Sequence, residues 1–183
     1  ETVHDLDLIA AASDPQALLA AFCAAPWVVE VVAQGATKAT VVSRSGLRLD
    51  LRVAAPECFG NLLQHFTGSK EHNLALREAA VRQGLSVSEY GITDLASGAV
   101  HAFATEEEVY AFLGYRWIPP ELREHTGELE AARSGTLPRL VERRDLRGDL
   151  HTHTDWSDGR DTLEAMLAQA VELGYDYYAV CDH

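Results

Sequence analysis

The chain has 183 residues, 47% hydrophobic and 23% charged, values ordinary for a soluble globular protein long enough to bury a core. Its net charge of −13 argues against a protein that wraps nucleic acid on a basic surface, and fits an acidic surface or carboxylates gathered to hold divalent cations. There is no apolar run of the ~18–20 residues that cross a bilayer, and ETVHDLDLIA lacks the basic n-region and cleavage site of a signal peptide, so no membrane role is expected.

In chain order, VHDLDLIAAA alternates and then turns apolar, as a strand entering a core does. SDPQALLAAFCAA reads as a helix capped by Ser13 or Asp14, with Pro15 in its first turn. WVVEVVAQ, TKATVVSR and LRLDLRVAA read as strands separated by turns at Gly35 and Ser45-Gly46, giving a mostly antiparallel sheet with a helix on it. ECFGNLLQHF and KEHNLALREAAVRQG are helical, joined by Thr67-Gly68-Ser69 and stopped at Gly84. Short β pieces follow around VSEYGI and AVHAF. Thr105 and Glu108 then form a capping box for EEEVYAFLG, the chain bends at Pro119-Pro120, and GELEAARSG is a short helix. LPRLVERRDLRG reads as a linker. After it, strand GDLHTHT, turn DWSDG, helix TLEAMLAQAVELG and strand YDYYAVCD make one βαβ unit, too small to be a domain alone, so the sequence is expected to belong to a longer protein. Cys23, Cys58 and Cys181, far apart and without a CxxC, read as buried reduced thiols of a cytosolic protein.

Two stretches carry chemistry. Asp5 and Asp7, one residue apart on a strand, project from the same face, with Leu6 and Leu8 expected to point into the core. Asp50 sits on the polar face of LRLDLRV. If the two strands are neighbours, three carboxylates converge as they do around a pair of divalent ions that bracket an attacking oxygen and a phosphate. A D-x-D on a strand is more often a solvated face, so the pattern needs support from elsewhere.

That support comes from HDLDLIA, LRLDLRV and HFTGSKEHNLALREAAVRQGLSVSEYGI, which together resemble the palm and thumb of a family X DNA polymerase; YAFLGYRWIPPELRE resembles the thumb of its bacterial members. The resemblance implies that Asp5, Asp7 and Asp50 hold two Mg2+ or Mn2+ ions, with Asp50 accepting the primer hydroxyl proton. It implies that His65, Phe66 and Gly68 lie under the incoming nucleotide's sugar and that Asn73 reaches its base in the minor groove. Arg77, one helical turn beyond Asn73, would contact the templating strand, and Lys70 would face DNA. His4 replaces the family's usual glycine, and His65 and Lys70 replace the Tyr and Asp of the animal repair enzyme. The family's triphosphate-binding Gly-Ser-Arg segment and its helix-hairpin-helix DNA grips precede the palm and fall outside this sequence.

At the other end, H-T-H puts His151 and His153 on one face, spaced to share a metal ion, and Asp158 and His183 can reach the same mouth. DLHTHTDWSDG, a helix and then DH resemble the first two motifs of a PHP (polymerase and histidinol phosphatase) domain, a distorted β/α barrel that cleaves phosphoesters with metal ions. The resemblance makes His151, His153, Asp158 and His183 ligands of Mn2+ or Zn2+, with further ligands beyond residue 183.

The fold class expected is therefore α+β: a nucleotidyltransferase-like palm sheet over 1–56, a small α/β thumb over 57–136, a linker over 137–147, and the first βαβ unit of a PHP domain over 148–183. The implied function is gap-filling DNA repair synthesis by a monomer acting in the cytoplasm near the nucleoid, on gapped or primer-template DNA with deoxynucleoside triphosphates, plus a 3′–5′ exonuclease in the intact protein. Two alternatives stand beside it: a PHP phosphoesterase with an inactive nucleotidyltransferase-like appendage, and a non-catalytic DNA-end-binding scaffold.

Overall fold

In the computed structural model, which describes residues 3–183, the alternation of DLDLIAA produces strand β1 (Asp5–Ala11). Helix α1 (Pro15–Cys23) follows, capped by Asp14, whose carboxylate accepts from the Ala17 amide at 3.0 Å. Strands β2 (Val28–Gln34), β3 (Lys38–Ser43) and β4 (Arg48–Ala54) complete a four-stranded sheet in the order β1-β4-β3-β2, antiparallel except that β1 runs parallel to β4. Leu51, Val53 and Ala39 on one face pack against Leu19 of α1, and Arg48, Asp50 and Arg52 alternate to the other face.

One expectation fails here. Leu6 and Leu8 do not enter the core; each is 39% exposed. β1 is an edge strand, and α1 packs over β3 and β4, so cover on that face reaches Ala10 and Ala12 but not the start of β1.

Helices α2 (Phe59–Thr67) and α3 (Lys70–Val81) are separated by Gly68, whose φ of 76° suits a residue without Cβ, and by Ser69, which caps α3 by accepting from the His72 amide at 3.2 Å. Strands β5 (Leu85–Ser88), β6 (Gly91–Asp94) and β7 (Val100–His101) form a small antiparallel sheet. The short β pieces expected around VSEYGI thus pair as a hairpin. Helix α4 (Glu106–Phe112) begins with the expected Thr105–Glu108 capping box, a 3-10 turn spans Pro120–Leu122, and helix α5 (Glu128–Ser134) follows. Leu76, Ile92, Val109, Tyr110, Leu113 and Ile118 are nearly fully buried between these elements, each stabilising the fold by roughly 1.5–3 kcal/mol of transfer free energy.

The chain divides into two compact units, residues 1–137 and 138–183. The second contains strand β8 (Gly148–Thr152), helix α6 (Leu163–Glu172) and strand β9 (Tyr177–Val180), with β8 and β9 parallel, as a βαβ unit requires. Its linker-like approach carries a 3-10 turn at Arg143–Asp145. The three cysteines are free but half-exposed rather than buried. Among the described residues, no helix is long and apolar enough to cross a membrane.

Candidate functional site

Parallel pairing of β1 with β4 sets Asp7 directly beside Asp50, and Asp5 lies one pleat step (~6.6–7 Å) along the same face. The three predicted acids therefore share one surface. Asp5 and Asp7 are exposed, whereas Asp50 is half-buried and already engaged. It accepts a hydrogen bond from the Thr40 hydroxyl and lies 3.3 Å from Lys38 Nζ and 3.6 Å from Arg48 Nε. The Thr40 bond, with help from Lys38 and Arg48 and against the effect of burial, holds the Asp50 carboxyl below the usual aspartate range. Carboxylate oxygens on one face suit hard divalent cations, so the residues present fit the pair of ions expected here. Their carboxylates are not yet gathered into one ligand shell. Among the described residues, ligand atoms within 4.8 Å of one another occur at His153, Asp158 and His183 instead.

The expected nucleotide and DNA residues form a second feature. His65, Gly68, Lys70, Asn73 and Arg77, with Leu74, line one cleft of about 400 Å³ between the end of α2 and the start of α3. Its polar groups are wired together. Asn73 donates from Nδ2 to the His65 carbonyl oxygen at 2.8 Å and accepts from Gln64 Nε2 at 2.7 Å. Arg77 reaches His65 Nδ1 at 2.7 Å. Phe66 is absent from the cleft lining. Its ring lies 5.2 Å from the Arg52 guanidinium, which also pairs with Glu89 at 2.9 Å. The Phe66 side chain thus contacts the polar face of the sheet that carries Asp50.

Sequence reasoning missed a buried network behind this cleft. His72, next to Asn73 and with no exposure, faces Glu128 through Nδ1 at 2.6 Å and the Tyr110 hydroxyl through Nε2 at 2.9 Å. Burial holds His72 below its ordinary pKa against the pull of Glu128, so the ring is neutral, donates from Nδ1 and accepts from Tyr110. Glu128 also accepts from the amides of His125 and Thr126; burial pushes its carboxyl up, and the bonds from His72 and these backbone amides outweigh it and hold the group below the usual glutamate range. Arg123, likewise without exposure, forms a bidentate pair with Glu106 at 2.7 and 3.0 Å and donates to the Ile118 carbonyl at 2.9 Å. Glu106 reads in sequence only as an acidic first-turn residue, and no local pattern pairs His72 with a carboxylate far along the chain.

In the second unit three of the four predicted ligands, His153, Asp158 and His183, each bring a ligand atom within 4.8 Å of the others, while His151 stands outside that group beside His153. His151 and His153 bring their Nε2 atoms to 3.0 Å, and His153 Nδ1 lies 3.3 Å from Asp158. The His153 and His183 rings are 5.2 Å apart. The mixed nitrogen and oxygen donors of His153, Asp158 and His183 fit Zn2+ or Mn2+, whereas His151 meets His153 through the ring nitrogen opposite the one that faces Asp158. Asp182, given no role of its own in the sequence reading, fastens the turn. It accepts from the Thr154 amide and hydroxyl, both at 2.6 Å, and from the Ser157 hydroxyl at 2.7 Å. Gly159 lies so close that a Cβ would meet the His153 carbonyl oxygen at 2.1 Å, which keeps the Asp158 turn against the strand.

Residues 62–124 match the DNA polymerase beta thumb family. The whole chain is similar to "DNA polymerase/3'-5' exonuclease PolX" of Bacillus subtilis (strain 168), at 37% identity over 185 residues. It spans 32% of that relative's length.

Proposed function

We propose that the chain belongs to the family X DNA polymerases and forms the catalytic palm face and thumb of a DNA-directed DNA polymerase that fills gaps during repair. The single observation that carries this reading is the in-register placement of Asp7 beside Asp50, with Asp5 on the same face. In this reading residues 1–56 are palm, 57–136 thumb, 137–147 linker and 148–183 the start of a PHP domain.

Two Mg2+ or Mn2+ ions, when bound, neutralise phosphate charge and make the primer hydroxyl more acidic. Asp5 and Asp7, exposed at the sheet edge, are free to take up cations. Asp50 faces a conflict, because the contacts that keep it ionised also weaken it as a proton acceptor. Its service as a base requires Thr40, Lys38 and Arg48 to yield it, and a bound primer end is the group that would displace them. The cleft lined by Asn73 and Arg77 supplies donors for the acceptors of the DNA minor groove, which positions base and template. Lys70, exposed at the cleft rim, suits a DNA backbone.

His151, His153, Asp158 and His183 support a second activity, metal-dependent 3′–5′ exonuclease or phosphoesterase chemistry, which needs ligands beyond those present here. The polymerase assignment is tested by primer extension on gapped DNA with the intact protein. Asp50→Ala is expected to lose at least ~1,000-fold in kcat/KM; wild-type extension by that variant would remove the palm assignment. The alternative of a phosphoesterase with an inert appendage predicts no extension by either protein.

A further inference from the structure

Arg77 Nη2 stands 2.7 Å from His65 Nδ1. A guanidinium has donors only, so Nδ1 must be the ring's unprotonated nitrogen, and the imidazole is neutral with its hydrogen on Nε2. The backbone of the same residue accepts from Asn73 Nδ2 at 2.8 Å, while Gln64 Nε2, one position earlier, donates to Asn73 Oδ1 at 2.7 Å. One turn at the end of α2 thus holds both polar side chains that α3 presents to the cleft. We propose that His65 is a positioning residue, whose unprotonated Nδ1 aims Arg77 and whose carbonyl aims Asn73 before DNA arrives, and that a proton on His65 releases Arg77. This rests on reading the cleft as the DNA and nucleotide surface.

The charges around His65 fit that role. Arg77 and Lys70 lie on α3, Arg52 on β4, and Glu89 in the β5–β6 turn. Glu89 is already paired with Arg52 at 2.9 Å, so its pull on a proton at His65 is partly cancelled. Burial first, then Arg77 and Arg52, hold His65 below its ordinary pKa, against Glu89. At neutral pH the latch is closed. In acid the imidazolium and guanidinium cannot remain at hydrogen-bond distance, and Arg77 must turn away.

The test uses the intact protein on gapped DNA, with DNA affinity and single-nucleotide insertion followed from about pH 5.5 to 8. His65→Phe, which has no acceptor, is expected to cost roughly tenfold in kcat/KM at neutral pH, a loss that shrinks toward acid as wild-type His65 takes up its proton. His65→Gln can accept from Arg77 and cannot titrate; it is expected to restore most of that loss and to abolish the fall on the acid side. His65→Phe with Arg77→Ala should be no worse than Arg77→Ala alone. Independently of turnover, the NMR titration midpoint of His65 should move up in Arg77→Ala. Additive losses, an acid fall retained by His65→Gln, or an unmoved midpoint would each overturn the proposal. A wild-type protein that does not extend primers would instead defeat the polymerase reading, and the midpoint and DNA affinity would still decide the role of His65.

Discussion

Replacing Arg123 by Met removes one charge from a fully buried pair and leaves its partner behind. Arg123 has no exposure and makes two hydrogen bonds to Glu106, one to the Ile118 carbonyl, and a stacking contact 5.1 Å over Tyr110. Without it, Glu106 keeps only the Trp117 indole N–H, at 3.1 Å. Stranding a buried carboxylate in this way costs about 3–5 kcal/mol, much more than the net worth of the pair itself. Urea unfolding reports the loss, with Trp117 emission as the local probe in a Trp27→Phe, Trp156→Phe background. Glu106→Gln combined with Arg123→Met removes both charges and leaves Trp117 an acceptor, so it should recover at least about 1.5 kcal/mol of the loss. A single variant within about 1 kcal/mol of its parent, or a double variant less stable than Arg123→Met, would refute the account of this pair as mutually dependent buried charges.

Gly60→Ala forces a Cβ to 2.2 Å from the Thr105 carbonyl oxygen, where α2 abuts the start of α4; a loss of about 3 kcal/mol in thermal or urea unfolding is expected, and a neutral outcome would contradict that close approach. His72 has its folded pKa lowered, chiefly by burial, so the unfolded chain takes up a proton near pH 6.5 that the folded chain refuses. Its contribution is therefore intact above pH 6.5 and is lost as pH falls below it, by up to ~1.4 kcal/mol per pH unit. Urea midpoints for His72→Gln should have a shallower slope in that window. His153→Ala is expected to weaken Zn2+ or Mn2+ binding by roughly 100-fold in a chelator competition, and unchanged affinity would exclude His153 as a ligand.

The local patterns of the sequence were legible because their causes are local. Asp14, Thr105 and Glu108 are caps acting within one turn, and the D-x-D and H-x-H pairs follow from strand alternation alone. The sharing of one cleft by His65, Asn73 and Arg77 was legible through a resemblance, since helix spacing relates Asn73 to Arg77 but does not bring in α2. Leu6 and Leu8 went wrong because alternation tells which side chains share a face and is silent on whether another element covers it. The His72–Glu128 and Arg123–Glu106 pairs were invisible for a related reason. A buried charge is recognised by its partner, and the partner is fixed by tertiary packing. Asp182 was read only as part of a motif, although it fastens the turn bearing Asp158.

The Glu128 carboxylate also sets an order of events during synthesis. His72 and Tyr110 leave the ribosome well before residue 128, and until then the ring that closes the back of the cleft has no carboxylate to receive its Nδ1 hydrogen. A nascent chain that has emerged only through Glu124, the last residue of the thumb match, still lacks this acceptor. The buried network therefore closes only in α5, where Glu128 arrives as its last member. Pausing translation just before and just after Glu128 would separate a His72 ring without its acceptor from one that has it.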